Sequence, residues 1–262
     1  MQNRTSTHDA EIADQFSRQA EMFANSPALH NEAALALLVD AGEPKPGDET
    51  LDVACGPGSV VAAFARRVRR AVGLDATDNM LAEARKLVAK SALTNTEIHR
   101  GDVYRLPFAD ASFDIVSCRF AVHHFEDPPR AVAEIQRVCR ANGRIVICDG
   151  LASDDPAKAA ALNRMELLRD PSTVEFRTLA YLKGLFAGAK LPAPTARFYQ
   201  VTADMDDLIA RSFPVNDDRD GLRRLIEASV DGDKFGMSAN RDGNKVKLTY
   251  HSAVLSARKQ AS

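Results

Sequence analysis

Between Thr50 and Cys148, short and almost uninterrupted apolar runs alternate with segments of helical periodicity, and that alternation leaves few folds open. Thr50 to Ala54, Arg70 to Asp75, Glu97 to His99, Phe113 to Cys118 and Gly143 to Cys148 read as strands. Ser59 to Val68, Thr77 to Lys90 and Pro129 to Cys139 read as helices between them. In the second helix Asp78 and Glu83 lie early and Lys86 and Lys90 late, which suits its dipole. Strands that are apolar throughout and alternate with helices belong to a parallel sheet covered on both faces. Such sheets bind ligands beyond the carboxyl ends of their strands, near the switch in strand order. That rule points to four places: after Ala54, at Asp75, after Arg100 and after Cys118.

The strongest local signal is Leu51-Asp52-Val53-Ala54-Cys55-Gly56-Pro57-Gly58. Here a strand ends, small residues let a ligand approach the backbone, and a helix N-terminus offers free N–H groups. Against the dinucleotide pattern G-x-G-x-x-G, Gly56 and Gly58 are followed by Val61 where a third Gly or Ala belongs. That mismatch, with an acid before the turn at Asp52, argues against a nicotinamide oxidoreductase. Asp75 ends the next strand, and its two oxygens match a vicinal diol such as that of ribose. Gly101-Asp102-Val103 follows the third strand; Asp102 can accept an adenine amino hydrogen while the Val103 amide donates to a ring nitrogen. Each acid also has a structural reading: Asp52 in a turn, Asp75 as cap of the helix at Thr77, Asp102 within its own loop. Three acids closing three successive strands argue together for a nucleoside site.

Composition narrows the class. With 262 residues, 45% of them hydrophobic and 27% charged, the chain reads as one large globular domain or one with a sizeable insertion. Lys plus Arg number 34 against 36 Asp plus Glu, a net charge of −2, which removes the electrostatic case for a nucleic-acid partner. The densest apolar patch, Ala33 to Val39, is too short for a membrane span, and Met1 to His8 lacks the apolar core of a signal peptide. A cytoplasmic protein is therefore expected. Cys55, Cys118, Cys139 and Cys148 form no C-x-x-C pair and have no His at zinc spacing, so buried thiols and no metal are expected.

The motif set, extended by Gly73-Leu74-Asp75-Ala76 with Met80-Leu81, Gly101 to Phe108, Phe113-Asp114-Ile115-Val116 and Arg119-Phe120-Ala121-Val122-His123-His124-Phe125, resembles class I S-adenosylmethionine-dependent methyltransferases. The branch it looks most like is that of ubiquinone and menaquinone biosynthesis methyltransferases. The likeness is close from Glu49 to Asp149 and looser beyond, where Lys245 to Lys259 resembles the family's terminal antiparallel strand. It implies S-adenosylmethionine as cofactor, in a site that includes Asp52. Ala54, Cys55, Gly56 and Gly58 would cradle the methionine part. Asp75, with Ala76 beside it, would bind the ribose, Met80 would pack on the adenine, and Asp102 with Val103 would read its edge. The backbone at Cys118, Arg119 and Phe120 would face the methionine amino group. Ala54 stands where the family usually has the first Gly of the turn; one methyl group predicts altered packing with binding retained. Met80 reads equally well as a core methionine.

The implied fold is α/β and Rossmann-like, with a mostly parallel seven-stranded sheet and helices on both faces. Residues 1–48 form an N-terminal helical lid, on which Phe16, Phe23 and His30 are candidates to close the site. The core comprises 49–203 and 244–262. It includes helices at Pro156 to Leu168 and Ser172 to Ala187 and strands at Thr195 to Thr202 and Lys245 to Ala257. A helical cap, 204–243, is inserted between the last two strands, with helices near Met205 to Ser212 and Gly221 to Val230, and is too long for a plain turn.

Methyl transfer needs no covalent group from the protein; a base is needed only if the acceptor arrives protonated. His123 and His124, just past the fourth strand, are the candidates, since imidazole titrates near neutrality. A small-molecule acceptor is expected, with Asp170 and Arg177 near its pocket. Oligomeric state is left open, a homodimer being one option. The alternative function is an S-adenosylmethionine-binding protein on the same fold that does not methylate, a cyclase or binding module.

Overall fold

The protein is described here by a computed structural model covering residues 7–24 and 31–261. Five strands, β1 (Glu49–Val53), β2 (Arg70–Asp75), β3 (Thr96–Arg100), β4 (Phe113–Arg119) and β5 (Cys139–Gly150), pair in parallel in the order β3-β2-β1-β4-β5. The order reverses between β1 and β4, so the ligand-binding crevice of this topology falls at the carboxyl ends of those two strands. β8 (Lys245–Arg258) pairs antiparallel with β5, and β6 (Thr195–Asp204) pairs antiparallel with β8 at the edge.

Helices cover both faces: α1 (Thr7–Ala24), α2 (Glu32–Ala41), α3 (Ser59–Ala65), α4 (Asp78–Lys90) and α5 (Pro128–Val138), then α6 (Pro156–Arg169), α7 (Leu179–Gly188), α8 (Met205–Ala210) and α9 (Arg219–Glu227). Leu51 and Val53 point into the layer formed with Val132, Ile135, Leu182 and Phe186. On the other face Leu38, Val61 and Phe64 meet Ile115, Val146 and Cys148. A third cluster joins Leu162 and Met165 of α6 to Leu208, Ile209, Leu222 and Ile226 and to Val246 and Leu248 of β8, so the segment after β6 packs against α6 and the end strand. None of the described helices is long and apolar enough to cross a membrane.

The structure departs from expectation in three places. The sheet has eight strands, not seven: a short β7 (Asn240–Asp242) pairs with β8 through a tight turn in which Gly243 has φ +59°. The expected helix at Ser172 to Ala187 begins only at Leu179, where the Thr178 hydroxyl accepts the Tyr181 N–H at 3.3 Å. Residues 170–178 are irregular, because Asp170 draws the N–H and hydroxyl of Ser172 into a local turn that competes with a helix. The N-terminal helical region comprises α1 and α2, and Pro27 and His30 lie outside the described residues. The helices of the insertion are shorter than expected at both places.

Candidate active site

Asp52 is the penultimate residue of β1, Asp75 ends β2 and Asp102 follows β3; the three strands are adjacent, so their carboxyl tips gather on one side of the molecule. Asp52 is buried at 3% exposure and its Oδ1 accepts the Ser117 hydroxyl at 2.7 Å. Burial pushes its pKa up to about 7, against the opposing pull of Ser117 and Arg119. Asp75 accepts two backbone N–H bonds, Oδ2 from Gly56 and Oδ1 from Thr77, each at 2.9 Å. Burial raises its pKa as well. Asp102 is exposed and its Oδ1 accepts the Tyr104 N–H at 2.8 Å, while Val103 is half-buried against the core.

The glycine-rich turn divides its labour. Ala54 adopts φ +55°, a left-handed conformation that a Cβ makes costly by roughly 1–2 kcal/mol. Cys55 turns its thiol inward, where burial lifts the pKa far up, and its N–H is spent on the Leu74 carbonyl at 3.0 Å. Gly58, at φ +86°, has no room for a side chain: a Cβ would lie 2.9 Å from that of Ala84. Gly56, at φ +50°, has open space where its Cβ would be. Of the four, it is the residue whose backbone a ligand can approach most closely. Ala76 is exposed beside it, and Met80 is buried at 3% exposure.

At the tip of β4, Phe120 has φ +53° and donates its N–H to the Cys148 carbonyl at 2.8 Å. The guanidinium of buried Arg119 lies 4.8 Å over its ring. A 3-10 turn then presents the two histidines in different settings. His123 Nδ1 lies 2.6 Å from Asp149 Oδ1, and its backbone N–H donates to Asp149 Oδ2 at 3.0 Å. Phe176 stacks on the His123 ring with centroids 4.4 Å apart. His124 Nδ1 donates to the Ser172 carbonyl at 2.8 Å. Burial, then the neighbouring His123, pulls the His124 pKa well below the ordinary imidazole range, so this ring is neutral.

α1 reaches the same corner. It lies along α4, Phe16 meets the His124 ring edge-on at 4.9 Å, and His8 Nε2 lies 2.8 Å from the His124 carbonyl. Gln19 Nε2 donates to Asp170 Oδ2 at 3.2 Å. Arg177 instead stacks over Tyr181 at 4.6 Å and pairs with Glu175. Asp149 and Phe176 escaped the sequence reading. Asp149 was within reach, since it follows the apolar run Ile145 to Cys148 as Asp52 and Asp75 follow or end theirs; Phe176 carried no signal.

Acids at three neighbouring strand tips around a glycine-rich turn, beside the switch point of a parallel sheet, define a nucleoside-binding α/β enzyme. Comparison with known proteins agrees. Residues 51–147 match the family model described as a methyltransferase domain. The chain is 29% identical over 242 residues to the uncharacterized methyltransferase YcgJ of Bacillus subtilis, covering 92% of this chain and 96% of that one. It is 33% identical over 141 residues to a demethylmenaquinone methyltransferase of Thermobifida fusca, covering 53% of this chain and 57% of that one. The crystal structure of Bacillus subtilis YcgJ superposes with a TM-score of 0.81 at 26% identity, covering 88% of this chain and all of that one. The chain is similar to class I S-adenosylmethionine-dependent methyltransferases, carries their methyltransferase domain over residues 51–147, and transfers a methyl group from that cofactor. The turn fits the cofactor, with Gly56 open to close approach and the Asp75 carboxylate anchored at the tip of β2. Nothing in the comparisons favours a non-methylating protein on this fold.

Proposed function

We propose that the chain methylates a small organic acceptor at the switch point between β1 and β4. The carrying observation is the convergence of Asp52, Asp75, Gly56 and the β4 tip at one edge of the sheet. When bound, S-adenosylmethionine supplies a methyl group made electrophilic by its sulfonium. Gly56 gives backbone access to the methionine portion, while Ala54, Cys55 and Gly58 set the shape of the turn. Asp75, with Ala76 beside it, receives the ribose, and Asp102 with Val103 reads the adenine edge. Asp52 and the β4 tip at Arg119 and Phe120 meet the charged amino end. Met80, buried at 3% exposure, forms the floor beneath the adenine from α4. α1 acts as the lid, tied to the core by Gln19 and His8. The insertion after β6 acts as a cap that packs against Phe176, the residue of the 170–178 loop that stacks on His123. Both exclude water from the transfer, which strengthens electrostatic guidance inside. The protein works in a reducing compartment, the cytoplasm: its four cysteines are all buried and unbridged.

Titration calorimetry with S-adenosylhomocysteine and NADH tests the cofactor half of this reading. The first binds and the second does not; the reverse pattern refutes it. Incubation of the enzyme with methyl-labelled cofactor and a cell extract tests the acceptor half. Label in the low-molecular-weight fraction supports it, and label confined to protein or nucleic acid refutes it.

A further inference from the structure

We infer that His123 is the base of this enzyme, that Asp149 is its positioning residue, and that the acceptor arrives as a weakly acidic O–H compound, a phenol or an enol. This rests on the methyl-transfer reading above and adds what the acceptor must be. One carboxylate holds both the ring and the backbone of residue 123: Oδ1 lies 2.6 Å from Nδ1, and Oδ2 accepts the backbone N–H at 3.0 Å. Asp149 is itself 1% exposed, and its Oδ1 is further fixed by the Gly150 N–H at 2.7 Å. Phe176 flattens against the ring at an interplanar angle of 22°, with room for it provided by the bare Cα of Gly150. Rotation of the imidazole is therefore blocked on two sides.

A ring nitrogen that donates to a carboxylate carries the hydrogen, so the lone pair resides on Nε2. The hydrogen bonds that hold this residue run through its Nδ1, its backbone N–H and its carbonyl, and none of them through Nε2. His124 is the contrasting case: its Nδ1 props the Ser172 carbonyl, and its burial opposes the charge that a base must acquire. The two adjacent rings, with centroids 4.2 Å apart, thus divide into a base and a strut.

The step balances without a further reagent. His123 Nε2 takes the proton of the acceptor hydroxyl, whose oxygen electron pair forms the new O–CH3 bond. The S–CH3 bond breaks with its electron pair going to sulfur, and the positive charge ends on the imidazolium beside the Asp149 carboxylate. That proton later leaves to water. A phenol near pKa 10 lies within a few units of imidazole and can be relieved of its proton this way, whereas a neutral amine needs no base.

The test uses the full chain with S-adenosylhomocysteine bound, and nitrogen NMR of the histidine rings. His123 in the native protein is expected as the Nδ1–H tautomer, and Asp149→Asn is expected to mix the two tautomers. A native Nε2–H tautomer overturns the assignment without any variant. Labelled-methyl transfer is then followed with phenols of graded acidity, from phenol to 4-nitrophenol. His123→Asn is expected to lose ~100-fold or more on phenol, the usual contribution of a general base. It should lose far less on 4-nitrophenol, which ionises unaided. Asp149→Asn follows the same pattern and Asp149→Glu recovers part of it. Equal loss on every phenol, or no phenol accepted by the native enzyme, overturns the proposal. Calorimetry on the native chain separates the two layers: failure to bind S-adenosylhomocysteine is a failure of the methyltransferase site, whereas intact binding with flat acidity dependence is a failure of the base.

Discussion

Asp75 and Gly56 are joined across the tips of β2 and β1: the Asp75 Oδ2 accepts the Gly56 N–H at 2.9 Å. The other oxygen holds the Thr77 N–H, also at 2.9 Å, at the start of α4. The two sequence readings of this acid, helix cap and sugar ligand, therefore need not compete. Each carboxylate oxygen has a second lone pair, so the same group can shape the turn and still accept a hydroxyl.

Replacement of that acid should uncouple the turn from the cofactor. Asp75→Ala is expected to weaken S-adenosylhomocysteine binding by at least ~10-fold, equivalent to ~1.4 kcal/mol. Calorimetry measures it, and an unchanged dissociation constant would remove the ribose assignment.

Asp52 makes stability depend on pH. Its pKa is about 7 in the folded chain against an ordinary 3.8, so between those values the folded state holds a proton that the unfolded chain has lost. Stability consequently falls as pH rises through that window, by up to ~4 kcal/mol once the carboxyl is ionised. Asp52→Asn keeps an oxygen for the Ser117 hydroxyl and removes the titration. Thermal unfolding without cofactor should show the variant gaining at pH 8 and changing little at pH 4. Equal shifts at both values would contradict the account.

Gly58 tests the close approach of α3 to α4. A methyl group there meets Ala84 at 2.9 Å and sits on a backbone with φ +86°. Gly58→Ala should lower stability by about 2–4 kcal/mol, combining overpacking with left-handed strain. Urea unfolding reads this directly, and a loss below ~1 kcal/mol would mean that α4 gives way.

The contact between α1 and the core can be probed at Gln19. This side chain is 2% exposed and bonds to Asp170, itself 2% exposed. Gln19→Leu leaves a buried carboxylate short of a donor, at a cost of ~1–3 kcal/mol. Hydrogen exchange in α1 should quicken by ~10-fold while the central strands stay protected. Unaltered exchange in α1 would show that its packing along α4 suffices.

The parallel core was legible because its information is local. Leu51 and Val53, or Ile145 and Ile147, declare buried strands by their neighbours alone, and both ends of α4 carry the charges that its dipole favours. The three acids were legible for the same reason, each standing at or just past a strand end. The short β7 was hidden in a polar stretch, where only pairing with β8 makes three residues a strand. Residues 172–178 carry a helical pattern in the sequence and yet form a loop, because their bonds run to distant residues: Val174 and Glu175 donate to the His123 carbonyl.

The amino-acid sequence alone determined the alternating architecture, the glycine-rich turn, and the acids offered to a nucleoside, since each depends on residues a few positions apart. What it offered at His123 and His124 was two equal imidazoles. Only the tertiary structure separated them, by bringing Asp149 to one across 26 positions and Ser172 to the other across 48. Protonation behaviour is set by burial and by the partner on the opposite nitrogen, and both are properties of space that adjacency along the chain does not encode.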